Sequence, residues 1–216
     1  MSKIKLLIQV FSDPRRLKTI LTFNDNKGYL DKIGWFNSFD SKSPVDRHNN
    51  PIPWVTYPFI DFIKDRLDKQ HVVFEFGTGN STYFYAKYVE KVFSVEHDRE
   101  WYNKLLNFKP ENVEVVFCEL VRNGEYCRIP LRINKKFDIV IVDGRDRVNC
   151  CKQAVNVISD RGVIVLDDSE RDLYKDGVNF LISNGFKQLS FTGISPGLFY
   201  RKVTSVFYKA DNCLDI

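Results

Sequence analysis

His71-Val-Val-Phe-Glu-Phe-Gly-Thr-Gly-Asn-Ser-Thr82, followed after a short helical pattern by Val92-Phe-Ser-Val-Glu-His-Asp98, decides how this chain is read. A strand of buried type ends at Glu75, and a glycine turn follows. Gly77 and Gly79 permit positive φ and let the backbone approach a ligand closely. Any of Asn80, Ser81 and Thr82 can cap the next helix, whose free N–H groups and partial positive charge would face a ligand carboxylate. Glu75 is placed to reach a ligand ammonium. Glu96 closes the second strand, where a carboxylate can accept both hydroxyls of a ribose. These are the parts a parallel α/β sheet uses to hold an adenosine-containing cofactor.

Glu96 alone does not separate a methyl donor from a nicotinamide dinucleotide, because dinucleotide folds also carry an acid about 20 residues beyond the glycines. The glycines discriminate better. A dinucleotide fingerprint wants a third glycine where this chain has Thr82. The plainer reading, a tight turn that needs glycine and a polar cap at Glu96-His97-Asp98, explains each residue singly but not two acidic strand ends flanking one turn.

The strand and helix pattern extends outward from this unit. Apolar positions Phe59, Ile60, Ile63 and Leu67 recur at helical spacing, predicting an amphipathic helix between Trp54 and Leu67. Strands are predicted at 71–76, 92–96, 113–118, 137–143 and 162–167, then at 186–191 and 204–208. Helices are predicted at 81–88, 100–106, 148–158 and 173–183, while the link 119–136 is less clearly helical. Val/Ile/Phe-rich strands alternating with helices predict a doubly wound, mostly parallel sheet with helices on both faces. The last two strands are separated only by Gly193-Ile-Ser-Pro-Gly197, which predicts a C-terminal antiparallel hairpin. Residues 1–53 form a less regular helical and loop extension, a candidate substrate lid: Pro14 opens a helix through Leu17, Ile20 and Leu21, and 24–28 breaks it.

A second constellation sits on later strands. Asp143 ends the fourth in Phe137-Asp-Ile-Val-Ile-Val-Asp143-Gly-Arg-Asp-Arg147, and Asp167 and Asp168 end the fifth. Ligands of open α/β sheets bind outside the carboxyl ends of the strands. Acids repeated along that edge of an apolar sheet call for something cationic to meet them: a sulfonium, an amine, a divalent metal or the nearby Arg145, Arg147 and Arg171.

Glu75-x-Gly77-x-Gly79 resembles the first motif of class I S-adenosylmethionine-dependent methyltransferases. The likeness extends through E-x-G-x-G-x-S-T, E-H-D, D-x-V-x-V-D-G and D-D, from the helix after Trp54 to the fifth strand. Five parallel-type strands plus a terminal hairpin match that family's seven-stranded sheet. The resemblance implies S-adenosyl-L-methionine as methyl donor, bound in a domain covering 54–216. It assigns to the donor Glu75, Gly77, Thr78, Gly79, Asn80, Ser81, Glu96, His97, Glu119 and Asp143. Metal-dependent O-methyltransferases of this superfamily hold a divalent cation with acids matching Asp143, Asp167 and Asp168, so Mg2+ is one implication. Arg145 departs from that pattern, since an arginine beside a cation site repels the metal. A metal-free site with Asp143 on a substrate hydroxyl and arginines on the acid pair, or acids that merely cap the next helix, are the alternatives.

An alcohol acceptor needs its proton removed, which points to Asp143 first and Asp168 and Asp167 next, with His97 and His48 weaker. Trp35, Phe36, Trp54, Thr56 and Tyr57 could wall a flat or sugar-like acceptor, and Arg145 and Arg147 could pair with an anionic group; the tryptophans could equally be packing anchors. Trp-x-x-Tyr-Pro before the first motif, with Val-Asp-Gly-Arg-Asp-Arg and Asp-Asp-Ser-Glu-Arg later, is similar to small methyltransferases, some of them encoded among surface-polysaccharide genes, an association that implies O-methylation of a glycan or sugar-nucleotide hydroxyl. Two rivals stand beside this reading. An NAD-dependent enzyme would need a proton donor, and its only Tyr-x-x-x-Lys spacing, Tyr83 to Lys87, falls in the cofactor helix. A non-catalytic S-adenosylmethionine-binding protein would retain the fold without turnover.

At 216 residues the chain has the length of one domain with a substantial core. Its charge of +4, from 32 basic and 28 acidic residues, gives no concentrated basic field and so does not imply nucleic acid. No apolar run approaches the roughly 20 residues of a membrane span. The start, Met1 to Phe11, reads as structure rather than a signal peptide, being broken by Gln9 and lacking a small-residue cleavage site. Five cysteines without CxxC spacing, and that lack of a leader, point to reduced thiols in a cytoplasm. The aromatic N-terminus is compatible with a homodimer contact.

Overall fold

The computed structural model describes residues 4, 5, 9, 11–23 and 28–216. Residues 24–27 of the expected break at 24–28, and half of the stretch 4–11, lie outside the described residues. A helix does start at Pro14 (α1, Pro14–Phe23), and two short helices follow, α2 (Tyr29–Lys32) and α3 (Trp35–Ser41).

The sheet has seven strands: β1 (Val72–Phe76), β2 (Lys91–Glu96), β3 (Val113–Phe117), β4 (Phe137–Val142), β5 (Ile158–Asp167), β6 (Lys187–Ser195) and β7 (Leu198–Tyr208). Their order is β3-β2-β1-β4-β5-β7-β6, with the first five parallel and β7 running antiparallel between β5 and β6. The doubly wound sheet with a terminal antiparallel hairpin is therefore as the sequence predicts. The hairpin is longer than expected, because β6 continues to Ser195 and only Pro196 and Gly197 remain in the turn. Gly197 takes a φ of +67°, which a side chain disfavours, and its missing Cβ lets the turn press against α3 at Ser38.

The strands sort their side chains by period two. Val73, Ile139, Ile141, Val163, Val165 and Val206 face one layer, with α4 (Tyr57–Lys64) and α5 (Asn80–Tyr88). Phe74, Phe76, Val140, Val142, Ile164 and Leu166 face the other, which holds α7 (Glu125–Arg132) and α8 (Arg147–Val157). A sheet covered on both faces has near-continuous apolar strands, which is why these segments read so clearly. α6 (Arg99–Phe108) follows β2, and α9 (Lys175–Ser183) follows a short 3-10 turn. The link 119–136 contains the helix α7, whose pattern is obscured by Pro130; the helix ends two residues later, so little of the i to i−4 ladder is lost.

Candidate functional site

β1 and β4 are neighbours although five elements of chain separate them, so strand order switches between them and a crevice opens at their carboxyl ends. Gly77 (φ +96°) and Gly144 let the two strand-end turns touch: a Cβ at Gly77 would lie 3.2 Å from Gly144 Cα. The crevice continues into a cleft of about 530 Å³ lined by Gly77, Thr78, Glu96, His97, Asp143, Gly144, Arg145, Arg147, Asp167 and Asp168. Trp54, Asp98, Trp101, Leu198 and Lys202 complete the wall.

Most of the glycine loop's N–H groups are turned inward. Gly77 N donates to Val95 O (2.9 Å), Thr78 N to Glu96 Oε2 (2.9 Å) and Gly79 N to Thr82 Oγ1 (3.1 Å). Asn80 directs its amide to Ser43 Oγ (3.0 Å) and Pro44 O (2.7 Å), tying the N-terminal segment to the loop. Ser81 is half-buried at the start of α5. Gly79 has open space where a Cβ would be, so protein packing does not require glycine there.

Glu96 is the organiser of this corner. Its Oε2 accepts from Thr78 N and Thr78 Oγ1 (2.8 Å), and its Oε1 from His97 N (2.7 Å) and Asp98 N (2.8 Å). The His97 ring lies beside it, with Nδ1 2.9 Å from Oε1. Asp98 caps α6 through Glu100 N and Trp101 N, which sets the half-exposed Trp101 on the rim. Glu75 lies below the loop, buried, with Oε2 accepting from Thr82 Oγ1 at 2.6 Å. Burial pushes its carboxyl up to about 8, against hydrogen bonds from Ser81 and Thr82 and with the charges of Asp143 and Glu96.

The expected acid trio does come together, and it arrives with its own cations. Arg147, at the start of α8, donates Nε to Gly144 O (3.0 Å) and its second terminal nitrogen to Asp143 O and Asp143 Oδ1 (both 3.0 Å). Its first terminal nitrogen reaches Asp167 O and Asp168 Oδ2 (3.4 Å). All five guanidinium donors are thus engaged by the protein. Lys202 places Nζ 2.7 Å from Asp167 Oδ2 and 3.0 Å from Asp168 Oδ1, and Arg171 lies 2.9 Å from Asp168 Oδ2. Asp167 Oδ1 accepts from Thr204 Oγ1 at 2.8 Å. Asp143 keeps Oδ2 clear of any hydrogen bond among the described residues and stays 22% exposed to the cleft. Burial and then the Asp167 charge raise its carboxyl above the ordinary range, opposed by Arg147 and Lys202.

This donor set does not fit a divalent cation. Mg2+ wants near-octahedral oxygen ligands. Here two ion-paired cations, both largely buried, stand among the three carboxylates, and both oxygens of Asp167 are engaged. No group of three or more His, Cys, Asp or Glu side chains among the described residues is arranged to hold a metal ion.

The other expected residues divide. Trp54 is on the cleft wall with its indole N–H donated to Pro196 O (2.8 Å), leaving the ring partly exposed, and Arg145 is exposed on the rim with no ion pair among the described residues. Tyr57 is buried and faces a different concavity, with Lys32, Asp46 and Phe84. Trp35, Phe36 and Thr56 pack or bond within the fold: Trp35 donates to Leu198 O (3.1 Å) and stacks on Phe39, and Thr56 Oγ1 donates to Phe191 O. Glu119 is exposed beyond β3, and neither it nor His48 lines the cleft. Lys202, Trp101 and Leu198 are site residues that sequence reasoning missed. In the sequence Lys202 stands beside Arg201 just ahead of the predicted strand 204–208, and its burial appears only in the structure.

A larger concavity, about 820 Å³, opens at the opposite end of the sheet between Asp65, His71, Asp138, Arg161 and Asp215. Its polar groups serve the fold: Asp138 accepts from Val72 N and Ser159 Oγ, and Arg161 pairs with Asp211 and Asp215. No helix among the described residues is long and apolar enough to cross a membrane, and all five cysteines are free.

No protein-family model matches the chain, and no curated protein matches it. Solved structures do. A precorrin-6y C5,15-methyltransferase from Geobacter metallireducens superposes with a TM-score of 0.57 at 15% identity, over 79% of this chain and 96% of that one. A provisionally named caffeoyl-CoA O-methyltransferase from Staphylococcus aureus gives 0.55 at 12% identity, over 89% and 98%. A provisionally named methyltransferase from Streptococcus mutans, solved in complex with SAH, gives 0.51 at 14% identity, over 69% and 94%. At these identities the likeness establishes the fold, the Rossmann-like sheet of methyltransferases.

Proposed function

We propose that this chain is an S-adenosylmethionine-dependent methyltransferase acting on a hydroxyl of a sugar, glycan or other small acceptor. The observation that carries the choice of donor is the inward-turned loop. Three successive N–H groups, of Gly77, Thr78 and Gly79, already have protein acceptors. A dinucleotide pyrophosphate needs such groups free at the strand-to-helix turn. The cleft's charge agrees: Glu96, Asp98, Asp143, Asp167 and Asp168 outnumber Arg145, Arg147 and Lys202, which favours a cationic sulfonium over a polyanion. Open space over Gly79 leaves close ligand approach as the reason for that glycine.

The donor, when bound, supplies an electrophilic methyl carbon on a positively charged sulfur. Glu75 lies beneath the loop to meet its ammonium, and Glu96 can exchange the Thr78 hydroxyl for a ribose hydroxyl, since that hydroxyl rotates freely. Trp101 offers a flat apolar face on the same side. Asp143, through the uncommitted Oδ2, holds the acceptor hydroxyl and takes its proton as the oxygen attacks; its raised carboxyl suits a base near neutral pH. Arg147 aims Asp143 and is fully engaged in doing so, so Arg145 is the group left to pair with an anionic acceptor. Trp54 offers its exposed face as the acceptor wall.

Calorimetry with S-adenosylhomocysteine and NAD separates the donor readings: binding of the first alone is expected, and binding of NAD alone overturns the proposal. Transfer of a radiolabelled methyl group to a panel of sugars and sugar nucleotides, lost in Asp143→Asn, tests catalysis.

A further inference from the structure

Lys202 is 5% exposed, yet its ammonium sits at the floor of the cleft. Thr204 stands opposite Asp167 in the β5–β7 ladder, so Lys202, two residues earlier on the same face, projects directly over the end of β5. There Nζ meets Asp167 Oδ2 (2.7 Å), Asp168 Oδ1 (3.0 Å) and the carbonyl of Trp54 (3.2 Å). An ammonium has three donors and no acceptor, and three oxygens surround this one. Burial works against its charge, but Asp167, Asp143 and Asp168 outweigh that and hold it protonated. With Arg147 and Arg171, three cations answer three carboxylates.

We propose that Lys202 is the resident cation of this site, occupying with Arg147 the place a divalent metal would take among Asp143, Asp167 and Asp168, and that the chain works without metal. The ammonium hydrogen-bonds Asp167 and stands as a fixed counter-charge beside Asp168, whereas a metal ion would have to displace that covalently tethered charge and stand beside a second one. It also joins β7, the end of β5 and the segment carrying Trp54 at a single point, which a diffusible ion would do only when bound. Proton removal from the acceptor then falls to Asp143 with no Lewis acid assisting. The consequence for the mechanism rests on the methyltransfer reading, but the exclusion of metal does not.

The test is Mn2+ binding to the full chain by electron paramagnetic resonance, which needs no methyl donor. Wild-type protein is expected to leave the free Mn2+ signal unchanged at millimolar metal. Lys202→Ala, which empties the cation position, is expected to bind one Mn2+ per chain in competition with Mg2+, and Lys202→Arg is expected to bind none. Should Lys202→Ala not fold, Lys202→Gln keeps the stem, removes the charge and is read the same way. Stoichiometric Mn2+ binding by wild type overturns the proposal, as does a folded, neutral Lys202 variant that gains no site. S-adenosylhomocysteine binding measured on the same wild-type sample reports separately on the donor reading.

Discussion

Arg147→Ala should be among the most damaging single changes at the cleft, because one side chain holds the ends of two strands together. The guanidinium is 10% exposed and uses all five donors, on Gly144 O, both Asp143 acceptors, Asp167 O and Asp168 Oδ2. Removing one partner from a buried ion pair costs about 3–5 kcal/mol, since the remaining charges stay desolvated. Asp143 retains some solvent contact, and Lys202 and Arg171 still serve Asp167 and Asp168, so the lower end, about 3 kcal/mol, is expected. The lost contact over the Tyr174 ring, 5.0 Å from the guanidinium, adds on the order of 0.5 kcal/mol. For a domain of this size, about 3 kcal/mol corresponds to a fall in Tm of roughly 6–12 °C. Arg147→Lys restores the charge with three donors in place of a planar fork and should recover only part of the loss. Urea unfolding at pH 7 measures both. The penalty should shrink on acidification, as the carboxyls it leaves unpaired become neutral. A loss below about 1 kcal/mol for the alanine variant, the value of an exposed pair, would refute the closed cluster.

Two further outcomes follow from the geometry. Glu75 is held neutral by burial, with its folded value at about 8 against an ordinary 4.5, so the folded protein binds a proton that the unfolded chain releases. Its contribution to stability is therefore present at low pH and is lost as pH rises through about 8, and a ligand ammonium that ionises it must expel that proton. Affinity for S-adenosylhomocysteine should rise by up to about tenfold per pH unit between roughly pH 5.5 and 7, with one proton released in calorimetry across buffers of different ionisation enthalpy; a pH-independent affinity in that range would remove Glu75 from the ammonium site. Gly144→Ala would drive a Cβ to 2.8 Å from Phe76 O and onto the Tyr126 hydroxyl, so about 1–3 kcal/mol of stability should go, together with donor binding. An unchanged melting curve would show that the two strand-end turns are not in contact.

The sheet and the acids at its edge were legible in the chain because parallel strands buried on both faces are written in consecutive residues, Val72 to Phe76 or Phe137 to Val142, and because the turn after β1 needs Gly77. Asp143, Asp167 and Asp168 followed from standing next to those runs. What the tertiary structure alone decided was who meets whom. Tyr57, which the pattern could place on a helix but not orient, turns away from the cleft, while Trp54, three residues earlier, stays on its wall. Arg147 is close in sequence to Asp143, yet the two strand ends it joins are brought together only by the pairing of β4 with β5. Lys202 reaches Asp167 because β7 inserts between β5 and β6, a choice of neighbour set by the packing of whole strands. Local periodicity records burial and turns, whereas the pairing of charges distant in sequence depends on strand order, and so the sequence delivers the sheet with its row of acids and the assembled fold supplies the cations that answer them.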